Sequence, residues 1–264
     1  FFDRAFAKDD WRGLTAFLRE RVAADEQIVL VSGHAWPVWD YYAPDLPVVR
    51  LPDLRILDVD AVLDFAGTQP ALAAAFAEDS GKRGAWLDNW QDEVVDPNDV
   101  VPVQLELGGR EKGQSATFQG LTLRRYGGIR ATRFAAAPPV TNVLDISLYA
   151  PDAAGGADLA DERVRLHGYT ALNNGDLLLF WQRQTPADPS GRSRGDLRLA
   201  LQSAALDGTP LAHPQDRRLA GYTDPAFRWP QGEIVMGRIP AADWLGANPA
   251  GGQVQVTLRV YDAA

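Results

Sequence analysis

The sequence predicts two domains of different class. An N-terminal three-layer α/β domain with a mainly parallel sheet covers residues 1–134, a Pro/Ala linker covers 135–142, and an antiparallel β-sandwich covers 143–264. Three observations carry this expectation. Helix-period and strand-like apolar segments alternate as far as Arg130. The run Ala135-Ala136-Ala137-Pro138-Pro139 then stiffens the chain, and its prolines cannot continue a helix. Beyond it, short segments alternate apolar and polar residues between turns rich in Gly, Asn, Asp and Pro.

In the first part, Asp9 or Asp10 can cap a helix reaching about Val22, with Trp11, Leu14, Phe17 and Leu18 on one face. Gln27 to Ser32 reads as a buried strand, and Leu46 to Leu51, bounded by Pro47 and Pro52, as a second. Asp58 to Phe65 and Gln69 to Glu78 read as helices, Gly84 to Trp90 as another buried strand, and Asn98 to Leu107 as a helix. Ser115 to Tyr126 suggests a terminal strand or a hairpin. A β-α-β-α order of this kind implies parallel pairing through crossovers. In the second part the strand-like segments are Val143–Tyr149, Val164–Leu172, Asp176–Arg183, Asp196–Ser203, Glu233–Ile239 and Gln253–Tyr261. Asn173-Asn174-Gly175 and Asp207-Gly208 supply turns between them.

Composition narrows the function classes. A net charge of −9 over 264 residues, with no basic stripe, argues against a nucleic-acid partner, because phosphate recognition needs clustered Lys or Arg. The pairs Arg124-Arg125 and Arg217-Arg218 read as solvated charges. The absence of cysteine removes disulfides, thiolate metal sites and thiol catalysis. The chain opens on Phe1-Phe2 without an initiator Met, so it reads as a processed product or a piece of a longer protein.

The run Ile28 to Tyr42, IVLVSGHAWPVWDYY, carries the strongest candidates for a site, because a buried strand empties into His34 and a cluster of aromatics. Open α/β sheets place ligands at such strand ends. His34 is a candidate acid or base, although Ser32-Gly33-His34 is not a nucleophile elbow and lacks the spacing of a dinucleotide fingerprint, so no cofactor is expected. Trp36, Trp39, Tyr41 and Tyr42, joined by Trp86 and Trp90, could stack on sugar rings while Asp40, Asp92 or Glu93 receives hydroxyls; the competing reading is that these aromatics complete a core. The acidic run Asp88, Asp92, Glu93 and Asp96 lacks calcium-loop spacing and reads as a solvated loop, so no metal is expected. In the second part Trp181, Tyr222, Phe227, Trp229 and Trp244 read as packing residues, with Trp229 on the Gly221–Gly232 loop as a candidate for an exposed binding patch.

Lys8 to Leu18, KDDWRGLTAFL, followed by Ile28 to His34 and by Trp86 to Pro97, WLDNWQDEVVDP, resembles the extracytoplasmic segment after the membrane helices of bacterial family 39-like glycosyltransferases. These enzymes are related to the dolichyl-phosphate-mannose protein mannosyltransferases. Arg165 to Gln182, Thr223 to Val235 and Val256 to Asp262 resemble the β-sandwich at the extreme C-terminus of many such proteins. The resemblance implies a non-catalytic accessory region tethered outside the bacterial membrane through an N-terminal membrane domain. Its partners would be that domain and a glycan or lipid-linked sugar; the parent would use a polyprenyl-phosphate sugar donor. The family's catalytic acids precede this segment, so no catalytic residue is carried over. Two other readings stand beside this one: a freestanding carbohydrate-binding or adhesion protein using Trp36 and Trp229, and a hydrolase centred on His34 and the carboxylates near Asp92.

Overall fold

The computed structural model describes residues 8–32, 35–56, 58, 60–149, 163–184, 196–221, 223–246 and 253–263. The chain divides between Ala137 and Pro138 into two units.

Unit 1 begins with α1 (Trp11–Arg21), whose start is fixed by the Asp10 side chain accepting the Gly13 N–H at 2.9 Å. Its i, i+3, i+7 residues Trp11, Leu14 and Leu18 are buried. β1 (Glu26–Val31) is buried along its whole length, and α2 (Trp36–Tyr42) and the edge strand β2 (Val48–Leu51) follow. One helix, α3 (Phe65–Ala75), stands where two were expected, because Asp64 accepts the Gly67 N–H at 2.6 Å and starts the helix there. Asp58 and residues 60–64 are therefore not helical, and Phe65 is the first residue of α3. β3 (Gly84–Asn89), α4 (Val100–Gly108), β4 (Arg110–Phe118) and β5 (Leu121–Gly127) complete the unit.

The five strands lie in the order β2-β1-β3-β5-β4. This corrects the expectation of a three-layer α/β domain on a mainly parallel sheet. β1 pairs in parallel with β2 and β3, but β5 is antiparallel to both β3 and β4. The cause is local. Gln119 and Gly120 close a two-residue hairpin, with Gly120 at φ +71°, and the returning strand inserts between β4 and β3. A crossover helix would have been needed to keep that position parallel.

Period-2 alternation sorts the side chains of the sheet onto two apolar clusters. Ile28, Leu30, Trp86, Leu121 and Leu123 pack with Trp11, Leu14, Leu18, Trp36 and Trp39 of α1 and α2. Val29, Val31, Ala85, Leu87 and Tyr126 pack with Leu72 and Phe76 from α3 and its C-cap, and with Val101 and Leu105 from α4.

Unit 2 is antiparallel throughout its described pairings. β6 (Asn142–Tyr149), β7 (Arg163–Ala171), β8 (Leu177–Arg183) and β11 (Ile234–Ile239) form one sheet in the order β11-β8-β7-β6. β9 (Leu197–Ala205), β10 (Gln215–Arg218) and β12 (Val254–Asp262) form the other, in the order β10-β9-β12. Leu166, Leu179 and Trp181 of the first sheet share a buried core with Leu197, Leu199, Leu201 and Val260 of the second, a sandwich-like arrangement. β10 has no apolar signal, being QDRR at an edge, and its Arg217 and Arg218 are strand residues.

Asp176 pins three elements of unit 2. Its Oδ2 accepts from Arg238 Nε at 2.8 Å and Nη2 at 2.5 Å, and its Oδ1 accepts the Ala241 N–H of α5 (Ala241–Leu245) at 2.9 Å. Asp176→Ala would take this carboxylate away from a largely buried guanidinium. It should cost about 3 kcal/mol, measured as a lower midpoint of urea unfolding followed by circular dichroism.

Candidate functional site

The two ends of β3 carry opposite electrostatic arrangements. At its start, the buried Glu26 of β1 accepts Trp86 Nε1 from β3 at 2.9 Å, Arg125 Nε from β5 at 2.7 Å and the Ala23 N–H at 3.0 Å. The Arg125 guanidinium also lies over the Trp86 ring, 5.2 Å from its centroid. Burial pushes the Glu26 carboxyl up, but the Ala23 N–H, Arg125 and Trp86 together hold it below its ordinary 4.5. Its contribution to stability is present above that ordinary value and is lost as pH falls through the folded one.

Asp88 lies near the carboxyl end of β3 and has nothing comparable. Strand alternation puts it on the face of Trp86, and the register sets it beside Leu30 of β1 and Leu123 of β5, both in the α1/α2 cluster. It is 0% exposed, and neither carboxylate oxygen has a hydrogen-bond partner. Burial, reinforced by the charge of Asp92, raises its pKa to about 8, so the group is mostly a neutral acid at pH 7. The expectation that the acidic run is a solvated loop is thus corrected for Asp88 and for Asp96, which is 2% exposed. Burial pushes Asp96 well above its ordinary range, opposed by the N–H groups of Val101 and Val100, which it accepts at 2.9 and 2.7 Å at the start of α4. Asp92 is partly exposed and accepts Asn89 Nδ2 at 2.7 Å.

The aromatic candidates are distributed differently from a stacking platform. Trp36 and Trp39 are 3% and 1% exposed inside the α1/α2 cluster, and both indole N–H groups are buried without a partner. Trp229 is 2% exposed and donates through Nε1 to the Asp224 carbonyl at 3.0 Å, so it is a packing residue of unit 2. These three corrections share one cause: each indole is worth more to the core than to the surface, because burying it removes a large apolar area from water. Asp40 is exposed and paired with Arg50, whose guanidinium lies 5.2 Å from the Trp36 ring centroid. Tyr41 is 78% exposed and meets Tyr42 edge to face at 4.9 Å. Trp90 is half-buried, donates through Nε1 to Asp9 at 2.7 Å and packs edge to face on Trp11 at 5.5 Å. His34 and Tyr222 lie outside the described residues.

The arrangement therefore gathers Asp88, Asn89, Trp90 and Asp92 at the carboxyl ends of β1 and β3, where Trp90 N–H also donates to the Val31 carbonyl at 3.1 Å. Sequence reasoning singled out Trp90 and Asp92 but gave Glu26 no role, because one carboxylate in a strand carries no motif. Among the described residues, no group of three or more His, Cys, Asp or Glu side chains is placed to hold a metal. An open groove of 740 Å³ lies along β2, bounded by Val48, Arg50, Asp53, Arg55 and Ala71. No described helix is long and apolar enough to cross a membrane. No family model, curated protein or solved structure matches this chain.

Because Trp36 and Trp229 are core residues, Trp36→Ala and Trp229→Ala should each destabilise the fold by about 3–5 kcal/mol in urea unfolding. Loss of glycan-array binding by either variant while its unfolding midpoint is unchanged would contradict this assignment.

Proposed function

We propose that this chain is a non-catalytic, extracytoplasmic accessory region of a membrane-bound glycosyltransferase that uses a polyprenyl-phosphate sugar donor, where it assists acceptor or glycan recognition. The observation that carries this reading is the family-like character of six segments, which supply α1, β1, the end of β3, β7, β8 and much of β12. Their apolar residues Trp11, Leu14, Leu18, Trp86, Leu166, Leu179 and Trp181 lie in the cores of the two units. The likeness thus falls on residues that make the fold. The burial of Trp36, Trp39 and Trp229 supports this reading over a freestanding lectin built on those indoles. Recognition would then fall to partly exposed groups, with Trp90 and Asp92 at the strand ends and Tyr41 on α2. Tethering would come from membrane helices encoded ahead of Phe1.

The purified chain, mixed with a polyprenyl-phosphate sugar and an acceptor, should transfer no sugar, while the full-length membrane protein should do so and should use acceptor less well once this region is deleted. Transfer by the isolated chain would contradict the non-catalytic part. A gene in which Phe1 follows no hydrophobic spans would contradict the membrane part.

A further inference from the structure

Asp88 is unlike any other acid in unit 1 for which a full set of contacts is described. It sits between Leu30 and Leu123 beneath α1 and α2, is wholly removed from water, and has no donor on either oxygen. An unpaired buried carboxylate is among the most costly groups a core can hold, whereas a neutral carboxylic acid costs far less. We propose that Asp88 is a proton-operated latch: while its carboxyl is neutral the α1/α2 layer stays packed on the sheet, and loss of the proton to solvent opens that layer to water.

The surroundings leave the ionised form little alternative. Asp92, on the turn after β3, acts on Asp88 as a like charge, and Asp96 and Asp99 follow on the same connection. Asp9, leading into α1, is held by Trp90 Nε1. On the same sheet face Arg125 of β5 stands opposite Trp86 with its Nε donating to Glu26, and Arg50 of β2 stands in register with Leu30 and is paired with Asp40. Arg12, Arg19, Glu20 and Arg21 lie on the exposed side of α1, with Arg19 paired to Asp45, and the exposed Asp40 of α2 is paired to Arg50. The unpartnered indole N–H groups of Trp36 and Trp39 belong to the same cluster, so the layer that would move is also the one holding unsatisfied donors.

The sign follows from linkage. In the closed state the carboxyl titrates at about 8; once opened to water it returns toward its ordinary 3.8. The open state therefore binds fewer protons across that interval, and the opening equilibrium rises with pH by up to tenfold per unit before levelling off. Opening requires no change in the sheet, because the other face of β1 and β3 keeps its own cluster with α3 and α4.

Hydrogen exchange read by mass spectrometry on peptides from Trp11–Arg21 and Trp36–Tyr42, corrected for the intrinsic pH dependence of exchange and measured where reclosing outruns exchange, tests this. The wild-type chain should show opening that rises toward tenfold per pH unit between about pH 5 and 8 and then reaches a plateau. Asp88→Asn and Asp88→Leu should abolish the slope, and β12 peptides should lack it in all three proteins. A flat wild-type profile, or variants that retain the wild-type slope, would overturn the proposal.

Discussion

The mixed sheet of unit 1 depends on one buried carboxylate. Glu26 stands on β1 and spans the parallel-to-antiparallel junction, taking Trp86 from β3 and Arg125 from β5. A parallel pair and an antiparallel pair that share a strand present different hydrogen-bond spacings, so their relative register must be fixed by something other than the backbone ladder. A charge with three donors does this, because any slip of β5 by one residue would carry Arg125 to the opposite face and leave Glu26 buried with too few partners. The Ala23 N–H adds the turn after α1 to the same point, which sets where α1 lies over the sheet.

The same three strands end in the opposite condition. From Glu26 to Asp88 the α1/α2 face passes from a satisfied ion pair, through the indole of Trp86, to an acid with no partner. The two acids act on stability in opposite directions: Glu26 adds stability as pH rises from its lowered folded value to its ordinary 4.5, and Asp88 removes stability as pH rises from its ordinary 3.8 toward 8. The unpartnered acid lies at the carboxyl ends of β1 and β3, which also present Asn89, Trp90 and Asp92.

Much of the secondary structure was legible because one-sided burial writes itself into the sequence. β9 reads LRLALQSAA with its leucines inward, so it was visible without any long-range information, whereas the edge strand β10, QDRR, carries no such pattern and was missed. What failed was pairing. SATFQGLTLRRY contains the Gln119-Gly120 turn and suggested a hairpin, yet nothing local says that the returning strand will insert beside β3 and make the sheet mixed. The aromatics misled for a related reason: WPVWDYY puts Trp36 and Trp39 three apart, a helical spacing that faces both inward, and leaves Tyr41 outside. Asp88 was readable in principle, since period two places it with Trp86, but its neighbours Asp92 and Glu93 made the stretch look like a solvated run. Glu26 gave no signal, because its meaning comes from residues 60 and 99 positions away.

One sheet of unit 1 thus holds an ionised acid at the start of β1 and a neutral one near the end of β3. Side-chain carboxyl ¹³C shifts followed by NMR as a function of pH measure this directly on the intact chain. The Asp88 carboxyl should titrate near 8, and that of Glu26 below its ordinary 4.5. An Asp88 that titrates with the surface acids near 3.8, or a Glu26 that titrates above 4.5, would contradict the account.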